Sequence, residues 1–191
     1  MMAADGPPGS GKDTITSELV RLRPEFALFE RLKAGPGRSA GYRLTTVDHI
    51  EELSRAGGLL YRNSRYDAEY AIDRQGVASL VDADRVPVLH VGQVVGAIAV
   101  AAFPLQWIRV LLWCPLDVSE SRSIGRGDKD VEARVKVWHE TRDDLLAHET
   151  EPWTLILRTD QLRPTESANA IIEALTATAS AEGRNIRELV G

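Results

Sequence analysis

At 191 residues the chain suits one domain of moderate size, with a core large enough to need no disulfide or metal staple. Its 43% hydrophobic and 27% charged content is that of a soluble globular protein, and a net charge of −5 argues against a general nucleic-acid surface. The single cysteine, Cys114, excludes an internal disulfide and makes a reducing, cytoplasmic setting the simplest expectation.

Met1 to Asp5 is a short, weakly apolar stretch in the place of a first strand, without the length or basic start of a secretion signal. Gly6 to Thr14 reads Gly-Pro-Pro-Gly-Ser-Gly-Lys-Asp-Thr, a phosphate-binding loop of Walker A spacing. Gly6, Gly9 and Gly11 let backbone N–H groups curl around an anion, with Ser10 between them, and Lys12 supplies a compact positive charge. Asp13 occupies the usual hydroxyl position and Thr14 follows it. Thr14 to Arg23 has helical periodicity in Ile15, Leu19, Val20 and Leu22, which aims a helix N-terminus at the anion.

Phe26 to Leu32 reads as a second strand, followed by a loop with Gly35, Pro36, Gly37 and Gly41 that carries Arg31, Lys33, Arg38 and Arg43. Val47 to Ala56 is a short helix with Thr46 as its cap. Leu59 to Tyr70 suggests a small sheet, and Asp73 to Ala83 a helix. Val86 to Val91 is an apolar strand, Val94 to Ala102 a helix stopped before Pro104, and Trp107 to Trp113 a strand rich in β-formers. Val118 to Ser123 starts a helix that runs into Gly125-Arg-Gly-Asp-Lys-Asp, and Val131 to Leu146 forms a long helix. A last strand, Trp153 to Arg158, precedes a last large helix, Pro164 to Thr178. Strands alternating with helices imply a mainly parallel sheet covered on both faces. Cys114 lies in an apolar run and reads as a packing residue. No apolar run is long enough for a membrane span, and the four histidines lack metal-ligand spacing.

The order of these features resembles the guanylate kinase group of nucleoside monophosphate kinases, which includes ribose 1,5-bisphosphate phosphokinases. The resemblance runs from Gly6 to about Asp160. It is carried by the phosphate loop, by Tyr70-Ala-Ile, by Arg122-Ser-Ile-Gly-Arg-Gly with Glu132-Ala-Arg, and by Arg158-Thr-Asp. It implies a P-loop NTPase fold, a three-layer α/β/α arrangement around a five-stranded sheet, with an acceptor-binding region over 31–72 and a lid over 122–134. It implies ATP and Mg²⁺, and transfer of the γ-phosphoryl to a phosphorylated small molecule by positioning and charge neutralisation. The expected partner is that acceptor, with no nucleic acid or membrane involved, and the expected state is monomer or homodimer.

Within this resemblance Arg126 and Arg134 match lid arginines that act with Lys12, and Arg122 completes the set. Arg158 and Asp160 sit where such chains approach adenine. Arg31, Lys33, Arg38, Tyr42 and Tyr70 are the candidates for holding the acceptor's phosphate. Two departures stand out. The position of a guanine-reading glutamate falls near Ser64, beside Asn63, with Asp67 and Glu69 as nearby acids. The strand ending Val88-Leu-His-Val-Gly-Gln offers His90 and Gln93 where an Asp is usual. An extra acid in the loop and a missing one on the strand motivate Asp13 as a ligand of Mg²⁺, against a reading as a helix N-terminal acid. The competing readings are a guanylate-kinase-like binding module without catalysis and an ATPase or GTPase switch. The absence of an Asn-Lys-x-Asp signature disfavours a GTPase.

Overall fold

The computed structural model describes residues 1–37, 39–65, 67–128, 130–177 and 186–190. Its core is a five-stranded sheet in which every neighbour pair is parallel. The strands are β1 (Met2–Asp5), β2 (Phe26–Leu28), β7 (Val86–His90), β8 (Ile108–Trp113) and β9 (Leu155–Arg158), in the order β2-β7-β1-β8-β9. Successive side chains leave opposite faces of a strand, and the core follows that rule. Ala3, Leu89, Leu111 and Ile156 join one apolar cluster; Met2, Ala4, Val88, Val110, Leu112 and Leu157 join the other. The first cluster is covered by α4 (Val94–Ala101), α6 (Val131–Ala147) and α8 (Ile186–Val190), through Ala97, Trp138, Leu145 and Val190. The second is covered by α1 (Lys12–Leu22) and α7 (Pro164–Thr176), through Ile15, Leu19, Ala168 and Ile171. This is the three-layer arrangement that near-continuous apolar strands require.

A second sheet is inserted between β2 and β7. Its strands are β3 (Arg31–Ala34), β4 (Tyr42–Leu44), β5 (Leu59–Arg65) and β6 (Ala68–Asp73), in the order β4-β3-β6-β5. The helix α2 (Val47–Arg55) packs its buried Ile50 against Leu32, Ala34 and Ala71, giving this sheet a small core of its own. The chain returns to the core sheet through α3 (Arg74–Asp82), capped by Asp73. Tyr61 fastens the inserted sheet to the core. Its ring lies so close to α4 that a Cβ on Gly96 would stand 2.8 Å from it, and its hydroxyl donates to Gln93 Oε1. Burial, with Asp5 nearby, pushes the Tyr61 phenol up to about 12, so this hydroxyl remains a donor.

Phe26 to Leu32 is not one strand but two, in different sheets. The apolar residues have different destinations: Phe26 and Phe29 enter the main core, while Leu32 enters the small one. Arg31 and Lys33, expected in a loop, therefore lie on β3. The phosphate-loop helix begins at Lys12, earlier than its periodicity indicates, and α5 extends over Leu116–Gly125. No helix among the described residues is long and apolar enough to cross a membrane.

Candidate active site

Parallel strands deliver their carboxyl ends to one edge of the sheet, where α/β folds bind ligands. The register Ala4↔His90 and Asp5↔Leu111 brings the loop after β1 beside the ends of β7 and β8. A cavity of about 570 Å³ opens there, lined by the phosphate loop, the end of β7, the inserted sheet and the segment leading into α6.

The loop is shaped by its glycines. Gly6 has φ +145°, and a Cβ there would overlap the carbonyl oxygen of Leu112. Gly9 has φ +76°, and a Cβ would stand 2.9 Å from the Ser119 backbone. Lys12 Nζ donates to Gly6 O at 2.6 Å, Pro7 O at 2.9 Å and Ser10 Oγ at 3.2 Å, closing the loop on itself. Desolvation pulls the Lys12 ammonium down to about 8, against the attraction of Asp5 and Asp13. Beneath the loop Asp5 is fully buried; its Oδ1 accepts from Gly6 N at 2.7 Å and its Oδ2 has no partner among the described residues. Burial pushes this carboxyl up.

Asp13, in the first turn of α1, has its side chain 70% exposed and lines the cavity, and its Oδ1 lies 3.6 Å from His90 Nδ1. His90 Nε2 lies 2.9 Å from Thr16 Oγ1, one turn into α1. Burial and the charge of Lys12 push the imidazole far below its usual range, so it is neutral. Asp13, Thr14 and Thr16 offer oxygen atoms at the loop's mouth, the donor type that hard cations take. Among the described residues no group of three or more His, Cys, Asp and Glu side chains is arranged around one point. A Mg²⁺ ion held there would need most of its ligands from phosphate and water.

On the lid side, Arg126 Nη2 and Arg134 Nε both lie 3.1 Å from Asp128 Oδ2, and all three residues line the cavity with Asp130, the N-cap of α6. Arg122 is placed differently from the lid position proposed for it. It donates to Gly9 O at 2.8 Å, Thr159 Oγ1 at 3.2 Å and Thr159 O at 2.7 Å, bracing the loop against the end of β9 outside the cavity lining. Arg158 and Asp160 flank that brace and pair with each other at 2.9 and 2.8 Å, also outside the lining.

On the inserted sheet, Tyr42 and Tyr70 pair with ring centroids 5.4 Å apart, and the Arg31 guanidinium lies 4.9 Å from the Tyr70 centroid. All three line the cavity. Lys33 does not: it is buried, and its Nζ donates to Pro36 O in the segment that follows β3. Arg38 lies outside the described residues. Ser64 points away from the cavity and donates to Glu69 Oε1 at 2.9 Å, while Glu69 also takes Arg62 at 2.6 Å. The pleat turns its neighbours Asn63 and Arg65 inward instead. Glu69 is therefore not a substitute base-reading carboxylate. Gln93, held by Tyr61, precedes α4 and is not in the lining, whereas His90 is.

Sequence reasoning missed Asp5, Thr16, Arg65, Asp128 and Asp130. Strand alternation from Asn63 is the signal for Arg65. Asp128, between two lid arginines in sequence, is the signal for their shared partner.

No protein-family model matches the sequence, and no curated protein matches it. Among solved structures, the chain is similar to the guanylate kinase from Anaplasma phagocytophilum, with a TM-score of 0.65 and 16% identity over 100% of this chain and 92% of that one. It is also similar to the shikimate kinase from Acinetobacter baumannii in complex with shikimate, with a TM-score of 0.45 and 16% identity over 91% of each chain. The first likeness shows the fold alone: an α/β fold like that of this guanylate kinase, its core sheet wholly parallel.

Proposed function

We propose that the chain is an ATP-dependent phosphotransferase that moves the γ-phosphoryl of ATP to a phosphorylated small molecule. The observation that carries this reading is one continuous cavity. The phosphate loop forms one wall, the Arg31–Tyr42–Tyr70 cluster another, and Arg126 and Arg134 stand at its lid side. In this reading Lys12 and the loop N–H groups hold the β- and γ-phosphates. Arg31, Tyr42 and Tyr70 hold the acceptor. An acceptor-phosphate oxygen attacks the γ-phosphorus, the bond to the bridging oxygen breaks, and ADP leaves with the electron pair. Arg126 and Arg134 exchange Asp128 for the charge spread over the transferring group.

Mg²⁺, held through Asp13 directly or by a water, would neutralise phosphate charge in this site. His90, tied to Thr16 and next to Asp13, orients that end of the loop as a neutral group. The setting proposed is cytoplasmic, consistent with one buried cysteine.

GMP is disfavoured as acceptor. The carboxylates in the lining are Asp13, Asp128 and Asp130, on the loop and lid, and the inserted sheet presents Asn63 instead. A site without the carboxylate that accepts from guanine N1–H and N2–H₂ loses discrimination heavily. The same observation, with the Gly-Lys-Asp loop, favours a ribose 1,5-bisphosphate phosphokinase as the second reading. The test is a thermal-shift screen with ATP–Mg²⁺ and a panel of mononucleotides and sugar phosphates, followed by coupled turnover with any hit. An acceptor that raises the melting point and is turned over supports the reading. Stabilisation by ATP with no acceptor points to a switch, and no stabilisation at all to a binding module without catalysis.

A further inference from the structure

We propose that Arg65 is the residue that grips the acceptor's reacting phosphate, a role that rests on the kinase reading above. Arg65 ends β5, and the pleat that turns Ser64 outward turns Arg65 into the cavity beside Asn63. Its side chain reaches across the end of β7: a Cβ built on Gly92 would stand 3.7 Å from Nη1. From there its charge acts on Lys12 in the phosphate loop and on Asp5 beneath it. The guanidinium thus stands in the seam between the acceptor sheet and the loop, where the two phosphates of a transfer reaction meet.

Its environment differs from that of every other cation in the lining. Arg126 and Arg134 share Asp128, Lys12 is spent on loop oxygens, and Arg31 lies over the tyrosine rings with Val91 O at 3.5 Å. Arg65 makes no hydrogen bond or ion pair among the described residues. A guanidinium cannot shed its charge, and one that is half-buried without an anion is unfavourable until a ligand provides it. Its planar fork of donors matches two oxygens of one phosphate. Beside it, Asn63 also lines the cavity, with its Oδ1 buried and without a partner among the described residues. The chemistry selected is a phosphate monoester whose reacting oxygens face Lys12.

The test is calorimetric titration of inorganic phosphate into protein saturated with the Mg²⁺ complex of a non-hydrolysable ATP analogue. Arg65→Gln is expected to weaken phosphate by about tenfold or more and the analogue by less than about twofold, with Arg65→Lys intermediate for phosphate. The melting temperature of ligand-free Arg65→Gln is expected to be unchanged or higher, because no protein contact is lost. Phosphate binding within about twofold of wild type, an equal loss of analogue binding, or a lower ligand-free melting temperature would overturn the assignment. So would a wild-type protein that binds the analogue but no phosphate. Failure of the wild type to bind the analogue overturns the kinase reading itself, and Arg65's role with it.

Discussion

The loop wall and the inserted-sheet wall of the cavity are finished to different degrees. The loop is tied by bonds within the protein: Lys12 bonds three loop oxygens, Arg122 ties Gly9 to Thr159, and Gly6 N–H is taken by Asp5, whose second oxygen has no partner among the described residues. The inserted-sheet wall ends in a buried amide oxygen at Asn63 and an arginine at 65 that makes no hydrogen bond or ion pair among the described residues. In the proposed kinase reading the bonded loop is preorganised for nucleotide phosphate, while Arg65 on the other wall takes its anion from the acceptor.

The largest expected effect tests the preorganised wall. Lys12→Met is expected to cost about a thousandfold in kcat/KM, the scale of losing one aimed donor to a charged transition state, in a coupled ADP-release assay. A loss below about tenfold would remove Lys12 from the chemistry. Asp13→Ala is expected to raise the Mg²⁺ concentration for half-maximal turnover by about tenfold, as loss of one carboxylate near a hard cation should. Unchanged Mg²⁺ dependence would leave Asp13 as a helix N-terminal acid.

A pH series is gentler. With its ammonium pulled down to about 8, Lys12 is fully charged in acid and loses charge as pH rises through that value. Affinity for the Mg²⁺ complex of an ATP analogue should be flat below about pH 7. It should weaken toward tenfold per pH unit well above 8, until phosphate holds the proton in the complex. A flat profile to about pH 9.5 would show the charge to be unused. The smallest effect is the control on the inserted-sheet wall: Ser64→Ala, on the outward side of β5, should change acceptor KM by less than about twofold.

Much of the fold is legible from periodicity. The alternation of apolar strands with helices gives the layered parallel sheet, and Gly6 to Lys12 gives the loop before any geometry is known. The inserted sheet is less legible, because its strands are short and a strand's two faces are interchangeable until its register is fixed. A shift of one position separates Ser64, which faces outward, from Asn63 and Arg65, which line the cavity. The same limit explains Lys33 and Gln93. Both sit where the sequence suggests ligand contact, but each completes a bond within the protein, to Pro36 O and from Tyr61. Arg122 likewise has a lid-like position in sequence, but the end of β9 offers it carbonyl and hydroxyl oxygens within reach.

Tyr61 has a mechanical consequence. Its ring against Gly96 and its hydroxyl on Gln93 bolt the inserted sheet to the core at the mouth of β7. In the proposed kinase reading the inserted sheet is therefore the fixed jaw of a vice, and the pairs of Arg126 and Arg134 with Asp128 are the catch that closure would release.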